Sequence, residues 1–173
     1  MMKNSVPATA SFERELRNFL KPRGVDVDAQ AVMFQLHRTS TDAVAAMEAA
    51  GLRSFGLSHA GYVLLMTLWI SGPREVRDLA HAQRVSKPAI VSCVHTLERA
   101  RLVRRVRSQI DKRLVTIELT RHGRTLVEKA QVALHRCERQ LTRDLTVTQK
   151  RTLAELLRRV GRTARGTTLK QSA

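Results

Sequence analysis

Side chains able to hydrogen-bond a base edge or a phosphate gather between residues 86 and 113. Lys87, Ser92, His95 and Thr96 stand in a segment whose apolar residues Ile90, Val94 and Leu97 recur at helical spacing. Ala89 opens the inward stripe, while Ser92, Cys93, His95, Thr96 and Arg99 fall on or near the other side. Ser86 is placed to accept an orphan amide at the helix start, and Pro88 falls in the first turn, where its missing N–H costs nothing. After Leu97 the apolar period shifts toward two, and the loop over 108–113 is charged. A polar helix face fits the major groove of B-DNA, where each base pair shows a distinct donor and acceptor pattern. A thin loop bearing Arg107, Lys112 and Arg113 suits the minor groove, where negative potential is concentrated. Lys87 and the first amides of the helix can meet phosphate. Asp111 among those cations can fix an arginine in place, which lowers the entropy lost on binding. The candidate DNA-contacting set is therefore Lys87, Pro88, Ala89, Ser92, His95, Thr96, Arg107, Asp111, Lys112 and Arg113.

Composition agrees. The chain of 173 residues carries 31 Lys and Arg against 15 acidic residues, a formal net charge of +16. Such an excess favours a polyanionic partner. Hydrophobic residues at 43% are enough for a core, and aromatics at 3% argue against single-strand binding by base stacking. The longest apolar run, 62–70, is about half of the roughly 18 residues a membrane span needs. With no apolar signal core at the N-terminus, the expectation is a cytoplasmic protein, nucleoid-associated when bound to DNA. Cys93 and Cys137 lack metal-type spacing, as do the six histidines, so no metal or cofactor is expected. Cys137 reads as core, and Cys93 as a packing residue or an oxidisable thiol. No phosphate-cradling glycine loop, nucleophile motif or paired-acid cluster supports an enzyme.

The elements that must position these groups are mostly helical. A short helix from Ser11, with Phe12, Leu16, Phe19 and Leu20 on one face, ends at Pro22 and Gly24. A longer helix over 28–50 stops at Gly51. Ser58 opens a third that is apolar nearly all round, hence central, and Ser71, Gly72 and Pro73 break it. Residues 74–83 read as the first helix of the DNA-reading module. Strands are expected over 102–107 and 114–119. Thr120 caps a helix whose stripe runs from Leu126 through Ala130, Leu134, Cys137 and Leu141 to Leu145. Thr146 and Gln149 have capping-box spacing for a last helix burying Leu153, Leu156, Leu157 and Val160, and the tail from Gly161 reads as loose. Three domains are expected: 1–57 with N-terminal dimerisation helices, 58–120 with the DNA-binding module, and 121–173 with C-terminal dimerisation helices and a basic tail. One such module covers only a few base pairs, so two in a dimer would read a palindrome.

The stretch from about residue 61 to 126 resembles the MarR family of bacterial winged-helix regulators. Asp111-Lys112-Arg113, Val115, Leu119-Thr120 and Gly123 are similar to the family's wing signature, and Leu97-Glu98 matches the end of its recognition helix. The family commonly has Gly where Arg101 stands, and small or hydroxyl residues where Lys87 and Pro88 stand. The resemblance implies a mainly α protein with a small antiparallel β-wing, a winged helix-turn-helix dimerised through its terminal helices. It implies a homodimeric regulator, read here as a repressor, on a palindromic double-stranded DNA operator. A small aromatic or anionic effector would tune its affinity, and His37, Arg38 and Trp69 are candidates to line that pocket. By the family pattern Arg113 is the minor-groove residue and Asp111 its positioning partner. The alternative is an architectural protein that coats nucleic acid without choosing sequence.

Overall fold

The computed structural model describes residues 8–107 and 114–171, with side chains over 12–107 and 114–167. The chain divides into two compact units, Met1–Ala45 and Ala46–Ala173. The first holds α1 (Ala8–Leu20) and most of α2 (Val27–Ala50). Helix α1 begins three residues ahead of Ser11 and gives way to a 3-10 turn that ends on Gly24 at φ 73°. Asp26, not Asp28, starts α2: its Oδ1 accepts the amides of Asp28 and Ala29 at 3.1 and 2.9 Å. The rings of Phe12 and Phe34 meet 5.7 Å apart, and Arg17 pairs with Asp28 at 3.1 Å. Phe19, Val32 and Met33 remain exposed.

The second unit is built around α3 (His59–Ser71). Glu48, in the last turn of α2, accepts the His59 amide at 2.8 Å, and Ser58 accepts that of Gly61 at 3.1 Å. Helix α2 ends before Gly51, as expected. The left-handed residue comes later, at Gly56 (φ 66°), after a 3-10 turn over Leu52–Phe55. As its all-round apolarity predicts, α3 buries Tyr62, Leu64, Leu65 and Leu68, while Trp69 packs half-buried against the same core. The Tyr62 hydroxyl bonds the side chain of Gln131, and burial, then the Glu138 charge, pushes its pKa up.

Around this rod lie β1 (Arg74–Glu75), α4 (Val76–Gln83), α5 (Lys87–Arg99), β2 (Val103–Arg107), β3 (Val115–Leu119), α6 (Arg121–Leu141) and α7 (Val147–Gln171). Residues 74 and 75 correct the expected helix. They form a strand because β3 offers them a ladder, Arg74 facing Ile117 and Glu75 facing Thr116, and so distant a partner leaves no local pattern. The sheet is antiparallel in the order β1-β3-β2. Eight residues are too few for α4 to persist alone, since isolated helices need about 12–15. Burial of Leu79, worth roughly 1.5–3 kcal/mol, and of Ala80 holds it on the core.

The C-terminal stripes depart from expectation. Ala130, Leu134 and Cys137 of α6 are buried within this chain, joined by Val127, so most of that seam needs no second subunit. Helix α6 stops at Leu141, and Thr142 turns its hydroxyl back to the Glu138 carbonyl at 2.8 Å, so the stripe does not reach Leu145 as helix. The capping box forms: the Gln149 amide donates to Thr146 Oγ1 at 3.3 Å and the Thr146 amide to Gln149 Oε1 at 2.8 Å. Leu153, Leu156 and Leu157, expected to be buried, are 44–48% exposed. The segment beyond Gly161 is not a loose tail, because α7 continues to Gln171. Among the described residues no helix is long and apolar enough to cross a membrane.

Candidate nucleic-acid interface

Helix α5 is oriented by what it buries. Ser86 Oγ accepts the Ala89 amide at 3.4 Å, Pro88 sits in the first turn, and Ile90, Val94 and Leu97 are locked into the core. That leaves Lys87, Pro88, Ser92, His95, Thr96 and Arg99 exposed on the outer side. Two expectations change. Ala89 faces out, because the buried stripe begins one residue later, at Ile90, and Val91 joins the exposed face. Cys93 turns toward the core, half-buried, and this burial raises its thiol pKa.

Finer chemistry also emerges. Thr96 donates its hydroxyl to the Ser92 carbonyl at 3.2 Å, so its oxygen faces outward mainly as an acceptor. In the first turn Pro88 has no N–H, Ala89 donates to Ser86 Oγ, and Ile90 donates to the Ser86 carbonyl at 3.2 Å. Among the described residues, the Lys87 amide is the donor left in that turn. A row of amides for phosphate, as the sequence suggested, is thus reduced to one.

The helix ends in a turn that the sequence did not announce. Leu102 donates to Leu97 O and Arg101 to Glu98 O, both at 2.9 Å, with Arg101 at φ 58°. This is the Schellman pattern, which usually places Gly at the left-handed position. Arg84 does the same after α4, at φ 57°, with Val85 bonding Ala80 O and Arg84 bonding His81 O. Both helices of the helix-turn-helix thus end on an arginine.

The sheet runs out beside α5 toward residues 108–113. Arg104 pairs with Glu118, its partner across the strands, at 3.1 Å, and Arg105 with Glu98 of α5 at 3.2 Å. Both arginines are thus engaged with carboxylates. Arg107 is exposed at the end of β2. Asp111, Lys112 and Arg113 lie outside the described residues. At the sheet's other end, Thr120 Oγ1 accepts the Gly123 amide at 2.9 Å and donates to the Arg101 carbonyl at 2.7 Å. One hydroxyl therefore caps α6 and fastens it to the turn behind α5, giving the Leu-Thr-x-x-Gly pattern a structural meaning.

The suggested effector residues are spread over both units. His37 is exposed on α2, where Arg38 stacks 5.5 Å from the centre of the Phe34 ring; Trp69 belongs to the core of the second unit. Among the described residues no group of three or more His, Cys, Asp or Glu is placed to hold a metal ion.

A short helix, a turn, an outward-facing second helix and a flanking sheet define a winged helix-turn-helix. The family described as "Transcriptional regulator SarA/Rot" matches residues 49–130. The HTH-type transcriptional regulator YwaE of Bacillus subtilis is 26% identical over 136 residues, 79% of this chain and 80% of that protein. AbsC, a MarR family transcriptional regulator from Streptomyces coelicolor, superposes with a TM-score of 0.72 at 26% identity, covering 82% of this chain and 97% of its own. A MarR mutant from Escherichia coli, solved in complex with operator DNA, shares the fold at a TM-score of 0.71 and 20% identity, over 77% of this chain and 95% of its own. The chain has the winged-helix fold of these regulators and is similar to transcriptional regulators of the MarR type.

Proposed function

We propose that this regulator acts as a homodimeric repressor, placing one α5 in each of two successive major grooves of a palindromic operator. One observation carries the reading. Helix α5 is fixed by Ile90, Val94 and Leu97 on one side and presents Ser92, His95 and Thr96 on the other, with the β2 arm alongside. Ser92 and His95 supply donors and acceptors for base edges, and Thr96 an acceptor. Lys87, with its side-chain charge and free amide, meets phosphate, and Pro88 and Ala89 give apolar contact at the groove's edge. Arg107, Lys112 and Arg113 of the wing lie along the minor groove, with Asp111 holding Arg113. The exposed leucines of α7 support a second copy as the partner, since a helix face of that kind needs cover. A small aromatic or anionic ligand then changes the affinity for DNA.

The test is a titration of the DNA upstream of the protein's own gene beside scrambled DNA at several salt concentrations. A preference of roughly a thousandfold or more for a short palindrome supports the sequence-specific reading. Equal affinity for both DNAs by ligand-free protein would replace it with a coating protein.

A further inference from the structure

Where the turn between α4 and α5 faces α7, six residues of α7 enclose a solvent-open cleft of about 500 Å³ with Arg84: Ala154, Leu157, Arg158, Gly161, Arg162 and Arg165. The point where a β-carbon on Gly161 would stand is 3.7 Å from an Arg165 terminal nitrogen and 3.8 Å from one of Arg84. Two guanidinium groups from distant parts of the chain thus converge on one spot. Glu155 offsets two of the four cleft arginines, bonding Arg158 at 3.0 Å and Arg162 at 3.4 Å. Arg84 and Arg165 have no carboxylate partner among the described residues. Like charges brought together without an acid favour an anion between them, and planar guanidinium forks suit the oxygens of a phosphate.

We infer that Arg84 and Arg165, flanked by Arg158 and Arg162, form a phosphate clamp that grips the DNA backbone beside the reading helix, making α7 a DNA-contacting element. The inference rests on the proposed function and extends it to a helix that the sequence offered only for dimerisation. Position selects the duplex over a free phosphate. Arg84 lies two residues before the Ser86 cap and three before Lys87, so a backbone strand that meets the N-terminal end of α5 passes Arg84 first. Arg165 reaches the same spot from α7 and lengthens the contact along that strand.

Arg84→Gly separates charge from fold, because glycine takes φ 57° without strain while the guanidinium is lost. Wild type, Arg84→Gly, Arg165→Gln and the double variant would be titrated with operator and scrambled DNA across salt. The slope of log affinity on log salt should become shallower by about 0.9 for each arginine removed. Affinity for both DNAs should fall by the same factor, since phosphate contacts carry no sequence information. Arg165→Lys should keep the slope. Arg84→Gly should melt no lower than wild type, so a loss of binding cannot be a loss of folding. Wild-type slopes in both single variants would overturn the clamp while leaving the operator reading intact. A loss confined to the operator would also overturn it, as would pyrophosphate stabilising wild type but not the double variant while the DNA slopes stay unchanged. Absence of any salt-dependent DNA binding by wild type would instead defeat the proposed function itself.

Discussion

Gly123 rests directly on the backbone of Leu102: a β-carbon at Gly123 would stand 1.9 Å from the Leu102 carbonyl oxygen and 2.8 Å from its carbon. No rotamer change relieves such a clash, because the obstacle is backbone. Gly123→Ala must push α6 away from the turn behind α5, and should destabilise the chain by about 1–3 kcal/mol in urea unfolding. Gly166, on exposed α7, has nothing within 4 Å of its β-carbon position. There Gly→Ala should stabilise by roughly 0.5–1 kcal/mol. Equal effects at the two positions would contradict this account of Gly123.

Arg101 holds a left-handed conformation at a Schellman turn, a strain of about 1–2 kcal/mol for a residue with a β-carbon. Arg101→Gly should therefore raise the unfolding free energy by about 1 kcal/mol. Chemical denaturation with an unchanged slope checks it, and a loss of stability would mean that the arginine side chain contributes more than its backbone costs.

On the proposed dimer, the interface would lie on the exposed leucines of α7 and not on the buried stripe of α6. Lysine at Leu153 and Leu156 should give a monomer in sedimentation with its helical signal retained. Leu134→Ala should behave as a core truncation instead, costing about 2–5 kcal/mol. A dimer that persists with both lysines present would move the interface elsewhere.

On the proposed function, bases would be read from the middle of α5. His95→Ala and Ser92→Ala should each lower affinity for operator DNA by about 1–3 kcal/mol while leaving scrambled DNA almost unaffected. A uniform drop on both DNAs would reassign these side chains to the backbone.

Cys93 is held by burial in its thiol form, its pKa raised above the ordinary value. At neutral pH iodoacetamide should alkylate it more slowly than it does the unfolded chain. The difference should shrink as pH rises through the folded-state pKa. The sign for stability follows: the contribution is complete below the unfolded thiol pKa and is lost as pH rises through the raised one. Rapid modification at neutral pH would restore Cys93 as a candidate redox sensor.

The parts of this fold legible in sequence are those written in local chemistry. Ser58, Ser86, Thr120 and the Thr146–Gln149 pair cap the helices they were expected to cap, and the apolar rod 59–71 is central. What escaped is decided at a distance. Two residues at 74–75 become a strand only because β3 lies beside them. Arg84 and Arg101 take a glycine's conformation, with no glycine to mark the turns. Ion pairs occupy Arg104 and Arg105, whose partners Glu118 and Glu98 are 14 and 7 residues away. At the candidate interface the outward identity of Ser92, His95 and Thr96 followed from the period of Ile90, Val94 and Leu97. The cleft at Arg84 could not be anticipated, since its two sides are most of a domain apart in sequence.

The bonding at Thr120 has a mechanical consequence. With its hydroxyl bonded on both sides and Gly123 seated on Leu102, the foot of α6 has no freedom to hinge. The helix then behaves as a cantilever clamped to the turn that carries α5. Its 21 residues give an arm of about 31 Å at 1.5 Å rise per residue, so a tilt of about 5° at the clamp displaces the far end by roughly 3 Å. Read in reverse, a displacement of that size at the tip re-aims the exposed face of α5 as a rigid body and leaves its internal packing intact.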